Sequence, residues 1–299
     1  ILILAAAVLL PKIGLVPINE SDNKLPYVMM GFGLLAFVLG VFGSVFDPES
    51  LSMTKVIIAS VLIALGFVVA GFRVPFLLVM TGLLTLNGGW YNAQLSFDGV
   101  RMRSYFGTYT INSSENGRVR SLIHGTTMHG MQLLDEPTRP TSYYAPTSGI
   151  GKALAQTPQL FGPNANVGIV GRGTGTLACY RQPGQTWQFF EIDRLIVEIA
   201  RDRKIFSFLE KCAPNAKMTL GDARLTLAKV SKNSFDVIAL DAFSSDAIPL
   251  HLLTQEAFAT YRRALKADGI LLVHISNRYI DLNPVIAAEA KANGWYAAL

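Results

Sequence analysis

The stretches NVGIVGRGTGT at 166–176 and TWQFFEID at 186–193 decide the fold. Asn166 to Val170 is a short apolar run of strand type. Gly171-Arg172-Gly173-Thr174-Gly175 comes directly after it. Glycines let a backbone turn tightly and come close to a ligand. A helix starting behind them offers unpaired N–H groups. Such a loop is weak evidence by itself, because glycine-rich turns after strands are common. Its meaning comes from the segments downstream of it.

There, strands and helices alternate. A helix is predicted through about Tyr180, then a strand from Thr186 to Phe190 with Glu191 and Asp193 at its end. A helix from Leu195 to Leu209 leads to a strand at Lys217 to Leu220 and then to Gly221-Asp222-Ala223. A strand at Phe235 to Leu240 runs into Asp241. A helix covers about Thr254 to Lys266, and a fifth strand Gly269 to Ile275. This spacing calls for a parallel sheet with right-handed crossovers, a Rossmann-type α/β domain over 149–299. The chain ends at Leu299, where a sixth strand is expected, so the domain reads as C-terminally incomplete.

In such sheets ligands bind outside the carboxyl ends of the strands. Those ends carry the glycine loop, Glu191, Asp222 and Asp241. A carboxylate at Glu191 can accept from both hydroxyls of a ribose. Asp222 can accept from an exocyclic adenine amine, with the small Ala223 leaving room for the ring. Asp241 would face the reacting end of the ligand. Asp193 is better read as the cap of the next helix. Each acid alone has an equally good structural explanation; together they suit a nucleoside without phosphates.

Upstream the character changes. Only four basic residues (Lys12, Lys24, Lys55, Arg73) and four acidic ones (Glu20, Asp22, Asp47, Glu49) lie before Leu95, so the net charge of +5 sits beyond it. Tyr27 to Phe46 holds 20 residues without charge and Val56 to Phe72 holds 17. A bilayer core needs about 20 apolar residues in a helix. Val74 to Leu86 is a shorter apolar run, and Trp90 and Tyr91 suit the headgroup level. Ile1 to Val16 resembles the tail of another such helix. Residues 1–92 are therefore expected to be transmembrane helices, a fragment of a longer membrane region embedded in the lipid bilayer. Arg101 and Arg103 favour a cytoplasmic exit. Residues 93–148 read as a small antiparallel β-sheet, with strands at 103–111, 118–124 and 128–133, and a Pro- and Thr-rich connector at 135–148. The charge forms no dense basic run, which argues against nucleic acid. Cys179 and Cys212 lack metal-type spacing and form no disulfide framework, and a reducing compartment fits them. His124 and His129 are too few ligands for a metal and read as structural or pocket-lining residues, and Ser244 and Ser245 have no His positioned for a triad.

The stretches VGIVGRGTGTLA, FFEIDRLIVEIAR, GDARLTLAK and FDVIALDAFSSDAIP, with LIHGTTMHGMQ and PTSYYAPTSGIG upstream, resemble the spermidine synthase family of polyamine aminopropyltransferases. The likeness is to the bacterial branch fused to membrane helices, and it covers about residues 103–299. It implies the S-adenosylmethionine-dependent methyltransferase-like fold. It also implies a transferase of polyamine biosynthesis in the bacterial inner membrane, with its catalytic domain cytoplasmic. The donor co-substrate would be decarboxylated S-adenosylmethionine or S-adenosylmethionine, with no metal, and the acceptor an amine such as a polyamine. A homodimer is compatible with the resemblance. Gly171, Gly173, Thr174 and Gly175 would border the nucleoside, Glu191 hold the ribose, and Asp222 with Ala223 the adenine. Gln132 would line the donor pocket, and Tyr143, Tyr144 and Asp246 the amine pocket. Asp241 matches the catalytic aspartate.

The departures fall at the amine end. Thr174 stands where the family carries an aspartate for the aminopropyl ammonium, and Ala145 where the gate carries a glutamate. The Asp-x-x-Asp-Pro motif is stretched from Asp241 to Asp246, with Pro249 displaced. Arg172 adds a cation beside the loop, which would favour a carboxylate if it faces the site. A methyltransferase using intact S-adenosylmethionine, and a transporter or sensor with a nucleoside-binding domain, therefore stay open as alternatives.

Overall fold

The computed structural model describes residues 24–46, 52–114, 116–242, 249–276 and 280–299. The chain divides into one unit that runs to Arg101 and a second from Met102 to Leu299.

The first unit is helical: α1 (Leu25–Phe46), α2 (Met53–Val68), α3 (Arg73–Leu86) and α4 (Gly89–Phe97). Residues 1–23, including the apolar run Ile1 to Val16, lie outside the described residues. Small residues bring α1 and α3 backbone to backbone. A Cβ on Gly40 would lie 2.2 Å from the Gly82 carbonyl oxygen, and one on Gly82 2.6 Å from that of Ala36. Such close approach of small residues is how helices associate without a hydrophobic driving force between them. Val38, Phe42, Ile57 and Phe67 are exposed on this unit. Among the described residues one helix, Leu25–Val45, is long and apolar enough to cross a membrane; α3 and α4 together also qualify, but they are bent by 70°. The apolar run at 56–72 yields only the 16 residues of α2, about 24 Å at 1.5 Å per residue, short of a bilayer core of about 30 Å.

The second unit begins with an antiparallel sheet in the order β1-β2-β3-β4: β1 (Arg101–Arg103), β2 (Thr108–Ser113), β3 (Val119–His124) and β4 (Thr127–Leu133). Its inner face places Tyr109 and Leu122 against Ile196, Ile199 and Phe206. After the connector come α5 (Gly149–Ala155) and α6 (Thr157–Phe161). The α/β part then runs β5 (Asn166–Val170), β6 (Thr186–Glu191), α7 (Arg194–Arg201), α8 (Phe208–Cys212), β7 (Lys217–Leu220), α9 (Ala223–Leu227), β8 (Phe235–Leu240), α10 (Gln255–Ala264), β9 (Leu265–Val273) and α11 (Asn283–Ala292). The single helix predicted after β6 is broken into α7 and α8. The one predicted after the glycine loop is a short 3-10 turn at Thr176–Tyr180.

The five strands are parallel in the order β7-β6-β5-β8-β9. Chain order reverses between β5 and β8, so the crevice of a doubly wound sheet lies at the carboxyl ends of those two strands. Alternation sorts side chains to two faces. Val167, Ile169, Phe189, Val237 and Ala239 pack with Leu154, Leu177 and Trp187 on one side. Val170, Phe190, Ile238 and Leu240 pack with Leu227, Phe258 and Tyr261 on the other. Every residue of β8 is buried, as a central strand covered on both faces requires. The one acid in it, Asp236, accepts from the Asn166 N–H at 2.8 Å and from Lys266 Nζ at 2.9 Å, which ties the amino ends of β5, β8 and β9.

Cys179 and Cys212 form a disulfide with Cα atoms 4.7 Å apart, linking the 3-10 turn to the end of α8. Their 33-residue separation gives no hint of this pairing. The expectation of a reducing compartment loses its support, since disulfides persist in oxidising ones.

Candidate functional site

A cavity of about 650 Å³ opens at the carboxyl ends of β5, β6, β8 and β9, within the range that holds small ligands. The glycine loop forms its floor. Gly171 and Gly173 adopt φ of +85° and +50°, a region glycine enters without the Cβ penalty. A Cβ on Gly171 would sit 2.2 Å from the Asp241 carbonyl oxygen, so the loop is pressed against the end of β8. Gly175, at φ +90°, turns the chain toward Leu209 and does not line the cavity.

At the end of β6, Glu191 is buried and holds two backbone donors. Arg172 N donates to Oε2 and Asp193 N to Oε1, each at 3.0 Å. Burial raises its pKa above the usual carboxylate value, opposed by those N–H groups. A carboxylate has about four acceptor sites, so a diol can still bind. Asp193 caps α7 through Leu195 N at 2.9 Å, as its place ahead of the helix predicts. Its other oxygen accepts from the Tyr109 hydroxyl at 2.8 Å and from the Ser104 hydroxyl. Burial, then the Asp193 and Glu191 charges, pushes the Tyr109 phenol up, so it stays a donor.

Asp222 caps α9, accepting from Leu225 N at 3.1 Å, and its second oxygen lies 2.9 Å from His251 Nε2. The acid expected to take an adenine amine thus already has an imidazole partner. Ala223 lines the cavity beside it.

At the end of β8, the Asp241 side chain is only 5% exposed. Oδ1 lies 2.5 Å from His274 Nδ1, and Oδ2 accepts from the Tyr144 hydroxyl. Tyr180 OH donates to the Tyr144 carbonyl at 2.6 Å and holds that segment. The Tyr143 ring lies 4.3 Å from that of Tyr144 and 5.4 Å from His274, centroid to centroid. Burial, then the Asp241 charge, raises both tyrosines, Tyr144 well above the ordinary phenol.

Of the residues singled out from sequence, Gly171, Gly173, Glu191, Asp222, Ala223, Asp241, Tyr143 and Tyr144 meet around this cavity. Thr174, Gly175 and Gln132 do not. Thr174 is fully buried, bonds Thr176 at 2.9 Å, and faces β4, where a Cβ on Gly130 would strike its hydroxyl. Gln132 is a structural tie: Nε2 donates to the Pro137 carbonyl at 2.8 Å and to Ser207 Oγ at 3.0 Å. Asp246 lies outside the described residues. Arg172 is buried, and its Nη1 donates to the Val197 carbonyl on α7 at 3.0 Å. Burial, followed by Arg201, pulls its pKa down to about 10. That bond turns at least one arm of the guanidinium to the protein's own backbone and away from any ligand carboxylate.

Sequence reasoning gave His124 and His129 a structural or pocket-lining role and missed the other two imidazoles. All four histidines of the chain, His124, His129, His251 and His274, line the cavity, and two pair with strand-end acids. His274 directly follows β9, so the strand-end rule that selected Asp241 would have found it one strand later.

No family model matches the chain. It is 30% identical over 121 residues to a polyamine aminopropyltransferase of Vibrio vulnificus, covering 38% of this chain and 39% of that protein. It is 25% identical over 192 residues to a probable polyamine aminopropyl transferase of Bifidobacterium longum, covering 62% and 39%. The chain therefore spans about two fifths of the length of these relatives. A probable spermidine synthase from Corynebacterium glutamicum superposes with a TM-score of 0.50 at 19% identity, over 58% of this chain and 62% of that one. In sequence the chain is thus similar to the polyamine aminopropyltransferases, and in fold to a spermidine synthase.

Proposed function

We propose that this chain is a transferase that binds a sulfonium nucleoside, decarboxylated S-adenosylmethionine or S-adenosylmethionine, and moves its aminopropyl group to an amine such as a polyamine. The observation that carries the reading is the convergence of the glycine loop, Glu191, Asp222 and Asp241 on one cavity at the switch point of the sheet. Glu191 accepts the ribose hydroxyls from a fixed position. Ala223 leaves space for the base, which Asp222 reaches only by sharing its carboxylate with His251. The sulfonium supplies an electrophilic carbon. The protein's part is to orient an amine in line with it and to remove that amine's proton.

Thr174 and Ala145 stand where the resemblance would place acids for cationic groups, and neither lines the cavity, so the described amine end offers a diamine fewer carboxylates. The alternative donor, intact S-adenosylmethionine used by a methyltransferase, gains nothing from the Arg172 Nη1 that engages α7, although Arg172 lines the cavity and its Nε and Nη2 have no hydrogen-bond partner among the described residues. We further propose that the first unit lies in the bilayer, because α1 is long and apolar enough to span it and small residues join α1 to α3. Arg101 and Arg103 favour a cytoplasmic second unit, whereas the Cys179–Cys212 disulfide favours an oxidising side. Alkylation in intact cells without reductant, read by mass spectrometry, decides between them: two added labels mean the cytoplasmic side.

Calorimetry with S-adenosylmethionine, its decarboxylated form and methylthioadenosine tests the central claim. Binding of the decarboxylated form and methylthioadenosine is expected, and turnover with a panel of amines should release methylthioadenosine. Binding of none of the three overturns the proposal.

A further inference from the structure

We infer that His274 is the proton acceptor of this site and that Asp241 is the residue that positions it. The inference rests on the transferase reading above. Asp241 is almost fully buried with both oxygens engaged, Oδ1 by His274 Nδ1 and Oδ2 by the Tyr144 hydroxyl. A carboxylate so enclosed is poorly placed to meet a diffusing amine. Both members of the pair line the cavity, but His274 is the one that presents surface to it, with 25% of its side chain exposed against 5% for Asp241. If Nδ1 carries the proton and donates it to Asp241, Nε2 becomes the basic nitrogen. An imidazole held in one tautomer by a carboxylate is the standard arrangement for a general base. The Tyr143 ring, 5.4 Å away, holds the imidazole plane from a second side. Among the described residues, Asp241, Tyr143 and Tyr144 are titratable groups that face His274, and the tyrosines stay neutral at physiological pH because burial raises both.

In the transfer step, an ammonium substrate gives one proton to His274 Nε2, and the imidazolium is stabilised by the Asp241 carboxylate. The freed nitrogen lone pair forms the C–N bond as the C–S bond breaks, and sulfur keeps the bonding pair as a neutral thioether. The product leaves as a secondary ammonium, and His274 returns its proton to water. No oxidant or metal is needed.

The test uses the full chain with His274→Asn, whose amide can still bond Asp241, and His274→Gln as a second variant. Proton transfer by a positioned side chain contributes about 10²–10⁴-fold, so kcat should fall by about that much. KM for the amine and the Kd for methylthioadenosine should stay within about threefold. The fall of kcat with decreasing pH should flatten, and added imidazole should restore part of the rate. Nitrogen-15 NMR of the wild type gives a readout free of turnover, with the Nδ1–H tautomer expected at neutral pH. An Nε2–H tautomer, or a His274→Asn enzyme with wild-type kcat and pH profile, overturns the inference while leaving the transferase reading intact. A wild type that binds no sulfonium nucleoside, or transfers to no amine, overturns both.

Discussion

The two ends of the cavity hold their carboxylates in different ways. Glu191 is fixed by backbone N–H groups of Arg172 and Asp193, which neither rotate nor titrate. Asp241 is fixed by the side chains of His274 and Tyr144, groups that can give or take a proton. A backbone-held acid offers a rigid acceptor and suits recognition of a constant part of the ligand. An acid held by an imidazole is part of a proton path and suits chemistry. The two kinds of support therefore separate a binding end from a reacting end.

Substitutions at the two acids should break the symmetry of the site most strongly. Asp241→Asn leaves the shape but removes the charge that sets the His274 tautomer, and kcat should fall by about 10³–10⁴ in amine-transfer assays. Affinity for methylthioadenosine should change little. Glu191→Ala should do the reverse. Hydrogen bonds to charged groups contribute about 1.5–3 kcal/mol each, so nucleoside affinity should weaken by at least about tenfold in calorimetry. The same change leaves two buried N–H groups unpaired, so the unfolding midpoint should also drop. Loss of kcat at saturating donor for Glu191→Ala, with affinity preserved, would show that the two ends are not divided in this way.

Gly171 joins the ends, because its N–H donates to the Phe190 carbonyl at 2.9 Å while its Cα faces the Asp241 carbonyl. Gly171→Ala meets both a left-handed φ and a Cβ contact of 2.2 Å with backbone. Backbone strain of this kind costs about 1–3 kcal/mol. Denaturant unfolding should show a loss of at least that size, with binding and kcat falling together. A Gly171→Ala protein of wild-type stability would mean that loop and β8 are less tightly joined than the structure has them.

The reach of local signals sets how much of this the sequence could reveal. The parallel sheet was legible because strand alternation and glycine punctuation are local. Glu191, Asp222 and Asp241 were legible because each ends a strand, and strand ends share one edge of such a sheet. The partners of those acids were not, because His251 and His274 lie 29 and 33 residues beyond Asp222 and Asp241. The Cys179–Cys212 pair was hidden for the same reason. Thr174 and Gln132 were placed in the site by resemblance alone. Their side chains turn to β4 and to Ser207 because the small sheet packs over the loop, which no local pattern encodes. The apolar helices were visible as runs, but the length of α2 depended on where Val69 ends it.

The smallest expected effect sharpens the comparison through stability and not through turnover. His124, near the Glu191 end, packs on Tyr109 with ring centroids 4.7 Å apart. Burial lowers its pKa below the ordinary imidazole value, and the Asp193 charge opposes the shift. A lowered folded value means that the unfolded chain binds the extra proton first as pH falls. The stability from keeping His124 neutral is therefore present above about pH 6.5 and is lost as pH drops through the folded value. Glu191 acts with the opposite sign, since its raised folded value makes stability fall as pH rises from the ordinary carboxylate range. One proton sets an upper limit of about 1.4 kcal/mol per pH unit for either slope. Denaturant unfolding at pH 5.5 and 7.5, compared between wild type and His124→Asn, isolates the first slope. The wild type should lose stability on acidification relative to the variant. Equal losses in both would mean that His124 takes up its proton as readily in the folded protein as in the unfolded chain.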